Sequence, residues 1–165
     1  IINKKVKMSK IIICSKSGAG KDYIAQKYVA KGYKKAMTYT TRPKRDYEID
    51  GVHYHFVTDE EFLALKESGT FIETCNFNNW YYGTSIDSFS SKVENLFIMT
   101  PGGIKQLPSE ILCKCFVILV DSDWLKRQFR AINRGDNVDE VNRRYYTDEE
   151  DFKDFNLYDL IINND

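Results

Sequence analysis

The chain has 165 residues, enough for one domain with a real hydrophobic core. Acids and bases balance at 24 each, so whole-molecule attraction to nucleic acid is not indicated, and any anion site must come from local clustering of arginine and lysine. No apolar run approaches the roughly 20 residues that span a bilayer, and an aromatic content of 14% argues against disorder.

Residues 1–7 precede Met8, which reads as a natural start, and are set aside as an N-terminal extension. Lys10 to Ser15 contains three consecutive isoleucines and predicts a buried strand, followed by a helix over Lys21 to Ala30 with Gly32 as its C-cap. Val52 to Val57 alternates and predicts a strand. Thr58 and Glu61 have the spacing of a capping box for a helix that runs to Ser68 and ends at Gly69. A strand over Phe71 to Phe77 leads to a turn at Asn78-Asn79-Trp80, and Ser85 to Glu94 is expected to be helical. Leu96 to Met99 and Phe116 to Val120 read as short buried strands. Asp121-Ser122-Asp123 can cap a helix over Trp124 to Asn133, Arg134 to Asn137 breaks it, Asp139 to Phe155 reads as a second charged helix, and Leu160 to Ile162 as a last strand. Short apolar runs alternating with helices predict an α/β fold built on a parallel sheet. The stretch from Tyr39 to Thr84 is richer in alternating strands and is expected to form a separate lobe.

The four cysteines, Cys14, Cys75, Cys113 and Cys115, form no CxxC pair. Cys113 and Cys115 alternate at an expected strand entry, which could put both thiols on one side, but no further metal ligands cluster nearby, so the four read as core or incidental thiols. Reduced cysteines and no recognisable signal peptide lead to the expectation of a cytoplasmic protein.

The stretch Ser15 to Asp22 carries the first chemistry. Small residues after a buried strand, then a lysine at a helix start, are what a polyphosphate site needs: backbone amides turned inward, the positive end of a helix, and a full charge. The strict pattern G-x-x-x-x-G-K-[ST] fails at both ends, with Ser15 for the first glycine and Asp22 for the hydroxyl residue. The middle, Ser17, Gly18, Ala19, Gly20 and Lys21, keeps the required chemistry. Asp22 is a hard oxygen ligand suited to Mg²⁺, and it also suits the helix N-terminus as a charge.

A second group, Thr38 to Glu48, sets Arg42 and Arg45 around Pro43 and suits a smaller anion. With TTRPKRDYEIDGVHYHFVTDEEF (Thr40 to Phe62), GTFIE (Gly69 to Glu73) and WYYGTS (Trp80 to Ser85), the chain resembles the guanylate kinase family, closely over Lys10 to Ser85 and traceably to Asp165. The resemblance implies a single domain over residues 8–165. Its P-loop NTPase-like core is a parallel sheet flanked by helices (8–37 and 86–121, with a return at 151–165). A mixed-strand lobe that binds the nucleoside monophosphate is inserted at 38–85, and a helical lid spans 122–150. It also implies transfer of the γ-phosphoryl of ATP, with Mg²⁺, to GMP or dGMP, without nucleic-acid or membrane partners.

Carried over position by position, the resemblance assigns Arg42, Arg45, Tyr54 and Tyr82 to the phosphate of GMP, Glu48 to their support, and Glu73 to guanine, with Thr38 and Thr84 as hydroxyls facing the base. Guanidinium forks and phenols suit a dianionic phosphate. A carboxylate accepts from the adjacent N1–H and N2–H₂ of guanine, a donor pair that adenine lacks. Arg130, Arg134 and Arg144 match lid arginines, with Arg143 competing for the last place, and Asn163 matches the region near adenine. His53 and His55 read as lobe residues without catalytic duty, and the tripeptide Arg134-Gly135-Asp136 as coincidence. One departure stands out. The strand that ends in acids in the family ends here in Ile98-Met99-Thr100-Pro101, with no carboxylate. Two other readings stay open for the residues: a deoxynucleoside monophosphate kinase of altered base specificity, and a non-catalytic phospholigand-binding module.

Overall fold

The computed structural model describes residues 10–77, 79–93 and 95–165. The extension over residues 1–7, the start at Met8, Asn78 of the predicted turn and Glu94 at the end of a predicted helix lie outside the described residues. Two four-stranded sheets form among the described residues.

The larger sheet contains β1 (Lys10–Ser15), β6 (Leu96–Ile98), β7 (Cys115–Asp121) and β8 (Leu160–Asn163) in the order β6-β1-β7-β8, and every pairing is parallel. The unbroken apolar run of β1 has a simple cause. Ile11 and Ile13 pack on one face with Ile24, Ala25 and Val120, whereas Ile12 and Cys14 pack on the other with Phe97, Val117 and Phe155. A strand covered on both faces has no use for alternation. Because β6 and β7 lie on opposite sides of β1, the carboxyl end of β1 is a topological switch point, where open α/β sheets leave a crevice.

The first helix, α1 (Lys21–Ala30), ends as expected at Gly32, which takes φ 93°. The Gly32 and Tyr33 amides donate back to Val29 and Tyr28, and the Tyr33 and Tyr28 rings meet edge to face at 5.4 Å, a Schellman stop with its apolar contact.

The second sheet, ordered β3-β2-β5-β4, consists of β2 (Thr38–Thr40), β3 (His55–Phe56), β4 (Phe71–Phe77) and β5 (Trp80–Ser85). It is mixed: β2 and β3 run parallel, and the other pairs run antiparallel. Helix α2 (Asp59–Glu67) covers it, with both bonds of the Thr58–Glu61 capping box formed and Phe62 stacked between Phe71 and Tyr81.

Several expected elements differ. The strand over Val52 to Val57 shrinks to β3, because Gly51 at φ 71° starts a turn in which the Val52 and His53 amides both donate to the Ile49 carbonyl. The helix expected from Ser85 is α3 (Ile86–Ser90), stopped where Ser91 leaves the helical region at ψ 140°. Pro101-Gly102-Gly103 opens a short helix, α4 (Pro101–Gln106). Thr100 caps it, and proline sits in the first turn, where its missing N–H costs nothing. A further turn of helix, α5 (Ser109–Leu112), ends at Cys113, so exposed Cys113 and buried Cys115 do not share a strand face. Helices α6 (Trp124–Asn133) and α7 (Val138–Phe152) form the charged pair, broken at Gly135 with φ 92°.

Candidate active site

The loop between β1 and α1 lies at the switch point. Gly18 and Gly20 take φ 77° and 92°, and neither has room for a side chain: a Cβ at Gly18 would strike the Arg127 backbone carbonyl, and one at Gly20 the Asn164 amide. The loop carbonyls are held from outside. Ala19 O accepts from Asn164 Nδ2 at 2.9 Å, Ser17 O from Arg127 Nη1 at 3.4 Å and Gly18 O from Arg130 Nη1 at 3.5 Å. In a trans peptide the next N–H points the opposite way, so the Gly18 and Gly20 amides turn to the inner side. Gly20 is the N-cap of α1 without a side-chain cap, which leaves the first amides of the helix to an anion. Lys21 Nζ stands 3.2 Å from Asp22 Oδ2. The Asp22 side chain is 65% exposed; the loop atoms around it would push its carboxyl up, but Lys21, Lys35 and Arg134 together hold it below its usual range.

Facing this loop, the second sheet presents the smaller cluster. Glu48 is buried; one oxygen accepts from Arg42 Nη2 at 2.7 Å and the other from the Arg45 backbone amide at 2.8 Å. This grip aims Arg42, whose guanidinium carbon lies 5.4 Å from the centre of the Tyr54 ring. Arg45 is exposed and donates to the Tyr47 hydroxyl at 3.0 Å. The Tyr54 and Tyr82 rings are 6.4 Å apart, and burial raises both phenols, which keeps them as O–H donors.

Deeper in the same sheet, Glu73 is 5% exposed and its Oε1 accepts from Thr84 Oγ1 at 2.6 Å. Burial raises the Glu73 carboxyl above the usual range, against the Thr84 bonds. Thr38 pairs with Thr84 across β2 and β5. Gly103 of α4 lies against Glu73 Oε2, where a Cβ would overlap it.

The arginines of α6 and α7 fall into two groups. Arg134 and Arg144 both pair with Asp136, and Arg143 and Arg144 with Glu140. A cavity of about 10 Å³, room for one water, is lined by Ser17, Gly18, Arg134 and Arg144 among others. Arg130 instead braces: besides Gly18 O, its guanidinium donates to Ser122 Oγ and to Asn164 O at 2.7 Å. Asn163 is exposed in β8, opposite Asp121, and it is the neighbouring Asn164 that reaches the loop.

Three contributors escaped sequence reading: Asn164, the Arg127–Asp148 pair, and Lys35. Lys35 Nζ is 5.8 Å from the Tyr54 ring centre, and its charge acts on Asp22, so it stands between the two anion sites. Desolvation lowers its pKa, against Asp22. The loop contacts of Asn164 with Ala19 and of Arg127 with Ser17 span more than a hundred positions, beyond any local pattern. Lys35 could have been noted as a cation ahead of the Thr38 strand.

Among the described residues, no group of three or more His, Cys, Asp or Glu could enclose a metal. The donor chemistry fits a different arrangement: Asp22, at the rim of the loop, would supply one hard carboxylate oxygen to a Mg²⁺ that arrives with a polyphosphate.

The sequence model of the family described as guanylate kinase matches residues 7–165. The chain is 31% identical to a guanylate kinase of Wigglesworthia glossinidia brevipalpis, an alignment covering 92% of this chain and 78% of that one. It is 29% identical to the guanylate kinase of Nitratidesulfovibrio vulgaris (strain Hildenborough), over 94% and 78%. The crystal structure of guanylate kinase from Anaplasma phagocytophilum shares the fold, with a TM-score of 0.72 at 20% identity over 95% of this chain and 77% of that chain.

Proposed function

The chain belongs to the guanylate kinase family, and we infer that it transfers the γ-phosphoryl group of ATP to GMP or dGMP. One observation supports this reading: Lys35 links two charged groups, acting on Asp22 beside Lys21 and lying 5.8 Å from the centre of the Tyr54 ring that Arg42 also faces.

In this reading the Gly18 and Gly20 amides and Lys21 cradle the donor phosphates, with Ser17 and Ala19, whose amides donate to Asp148 and to the Lys16 carbonyl, shaping the loop around them, and Asn163 stands near the adenine. Asp22 holds the Mg²⁺ that arrives with ATP, which screens phosphate charge when bound. Arg42 and Arg45, supported by Glu48, grip the phosphate of GMP with the Tyr54 and Tyr82 hydroxyls. Glu73 accepts from guanine N1–H and N2–H₂, beside the hydroxyls of Thr38 and Thr84. Residues 38–85 act as the acceptor lobe, and residues 122–150 as a lid. Closure brings Arg134 and Arg144, with Arg130 at their base, onto the transferring group and excludes water. Lys21 and the three arginines supply charge stabilisation, and no protein nucleophile is required, because positioning and electrostatics carry phosphoryl transfer. A cytoplasmic setting suits the four free thiols.

The test is ADP formation from ATP with and without GMP. GMP-dependent ADP release that falls by about a hundredfold or more in Lys21→Ala supports the reading; ADP release indifferent to GMP contradicts it. For the metal, Asp22→Ser should shift the Mg²⁺ dependence to higher concentration, and an unshifted curve removes Asp22 from that role.

A further inference from the structure

One polar cluster beneath the loop has no part in that scheme. We propose that Arg127 and Asp148 are positioning residues that hold the phosphate loop in its anion-binding shape and tie it to the α6–α7 segment; this rests on ATP being the donor at that loop. The two side chains are almost fully buried, at 3% and 7% exposure, and pair at 3.2 Å. Asp148 accepts from the Ser17 backbone amide at 2.8 Å and from its hydroxyl at 3.2 Å, while Arg127 Nη1 donates to the Ser17 carbonyl. Ser17 is thereby gripped from α6 and α7 at once. Outside them, Glu149 pairs with Lys16 at 2.8 Å and lies 3.7 Å from Arg127.

The charges in the cluster balance, two cations against two anions, so it offers an anion no net attraction. Stability alone does not account for it either. A buried ion pair gains little over an apolar pair of similar volume, and Arg127 Nε is left without a hydrogen-bond partner, which carries a desolvation penalty. What the pair does is fix the two peptide planes that flank Ser17, Asp148 through the Ser17 N–H and Arg127 through the Ser17 C=O. With the Ser17 carbonyl held outward, the Gly18 amide of the same plane must point inward, toward bound phosphate. Gly18 has no side chain because the Arg127 backbone occupies that space. The same two helices carry Arg130, Arg134 and Arg144, so the loop and the base of these arginines are set by one buried contact.

The double variant Arg127→Leu/Asp148→Ala tests this, because it leaves neither charge buried alone. Mg·ATP binding by calorimetry should weaken about tenfold and KM for ATP rise in parallel, with KM for GMP changed by less than about twofold. A double variant that melts like the wild type and binds Mg·ATP with unchanged affinity overturns the proposal. A second measurement needs no variant. In the nucleotide-free wild type, hydrogen exchange at the Ser17 amide should be slow, and exchange as fast as in an open loop also overturns it. Failure of the wild type to bind ATP would instead defeat the kinase reading, and the exchange result would still judge the brace.

Discussion

At Glu73 one carboxyl group meets two demands. Its interior position raises the pKa, yet acceptance of two guanine donors needs the ionised form. As pH falls through the raised folded value, the neutral acid places an O–H against guanine N–H groups. KM for GMP should therefore climb on acidification from a pH above the ordinary glutamate value of about 4.3, while KM for ATP does not follow. A KM for GMP that stays flat to below that value would contradict the assignment. For folding the sign reverses: a raised carboxyl pKa favours the folded state most below the unfolded pKa, and that contribution is lost as pH rises through the folded one. Gly103→Ala probes the same side chain sterically. Its methyl would displace Glu73, so kcat/KM for GMP should drop by about tenfold or more with KM for ATP unchanged. The motif resemblance pointed to Glu73 and Glu48, whereas Asp148 and Asn164 acquire their loop partners only through the fold, so nothing in their own neighbourhoods announces them.

Among the elements, those with one strong local signal were legible, and those where two local signals compete were not. β1 and α1 follow from isoleucines on one side and a Schellman glycine on the other; α2 follows from its capping box. Thr58→Ala should cost about 1 kcal/mol in urea unfolding, and a change within error would mean that the cap contributes nothing. The residues from Val52 to Tyr54 have the alternation of a strand but sit in a turn, since Gly51 and the Ile49 carbonyl decide the backbone. Helix α4 was missed because Pro-Gly-Gly reads as a turn unless the Thr100 cap is weighed with it. That helix has a further use. Gln106 exchanges two hydrogen bonds with the Thr74 backbone, Nε2 to O at 2.8 Å and N to Oε1 at 3.1 Å, and so fastens the edge of the second sheet to the core. Gln106→Ala should raise amide exchange along β4 before any loss of global stability; unchanged exchange would deny that role.

Over the whole molecule, the charged groups fall on both the parallel core and the mixed second sheet. Glu48, Asp136 and Glu140 all have lowered pKa values. At Glu48 burial is outweighed by Arg42 and Arg45; Asp136 is bonded chiefly to Arg134, and Glu140 to Arg143 and then Arg144. Depressed carboxyls stabilise the fold above their unfolded pKa and lose that contribution as pH falls through the folded one. Urea stability should accordingly decline below about pH 4, with buried Glu48 contributing most, since exposed pairs are screened by solvent; stability rising into that range would contradict the sign. The most direct measurement is ATP-dependent turnover of GMP, dGMP, AMP, UMP and dTMP side by side, on the wild type and on Glu73→Gln. The wild type should turn over the guanine nucleotides, and Glu73→Gln should lose that preference by more than any loss of phosphate binding. A wild type that turns over a pyrimidine nucleotide but not GMP, or a variant that loses all bases equally, would contradict it.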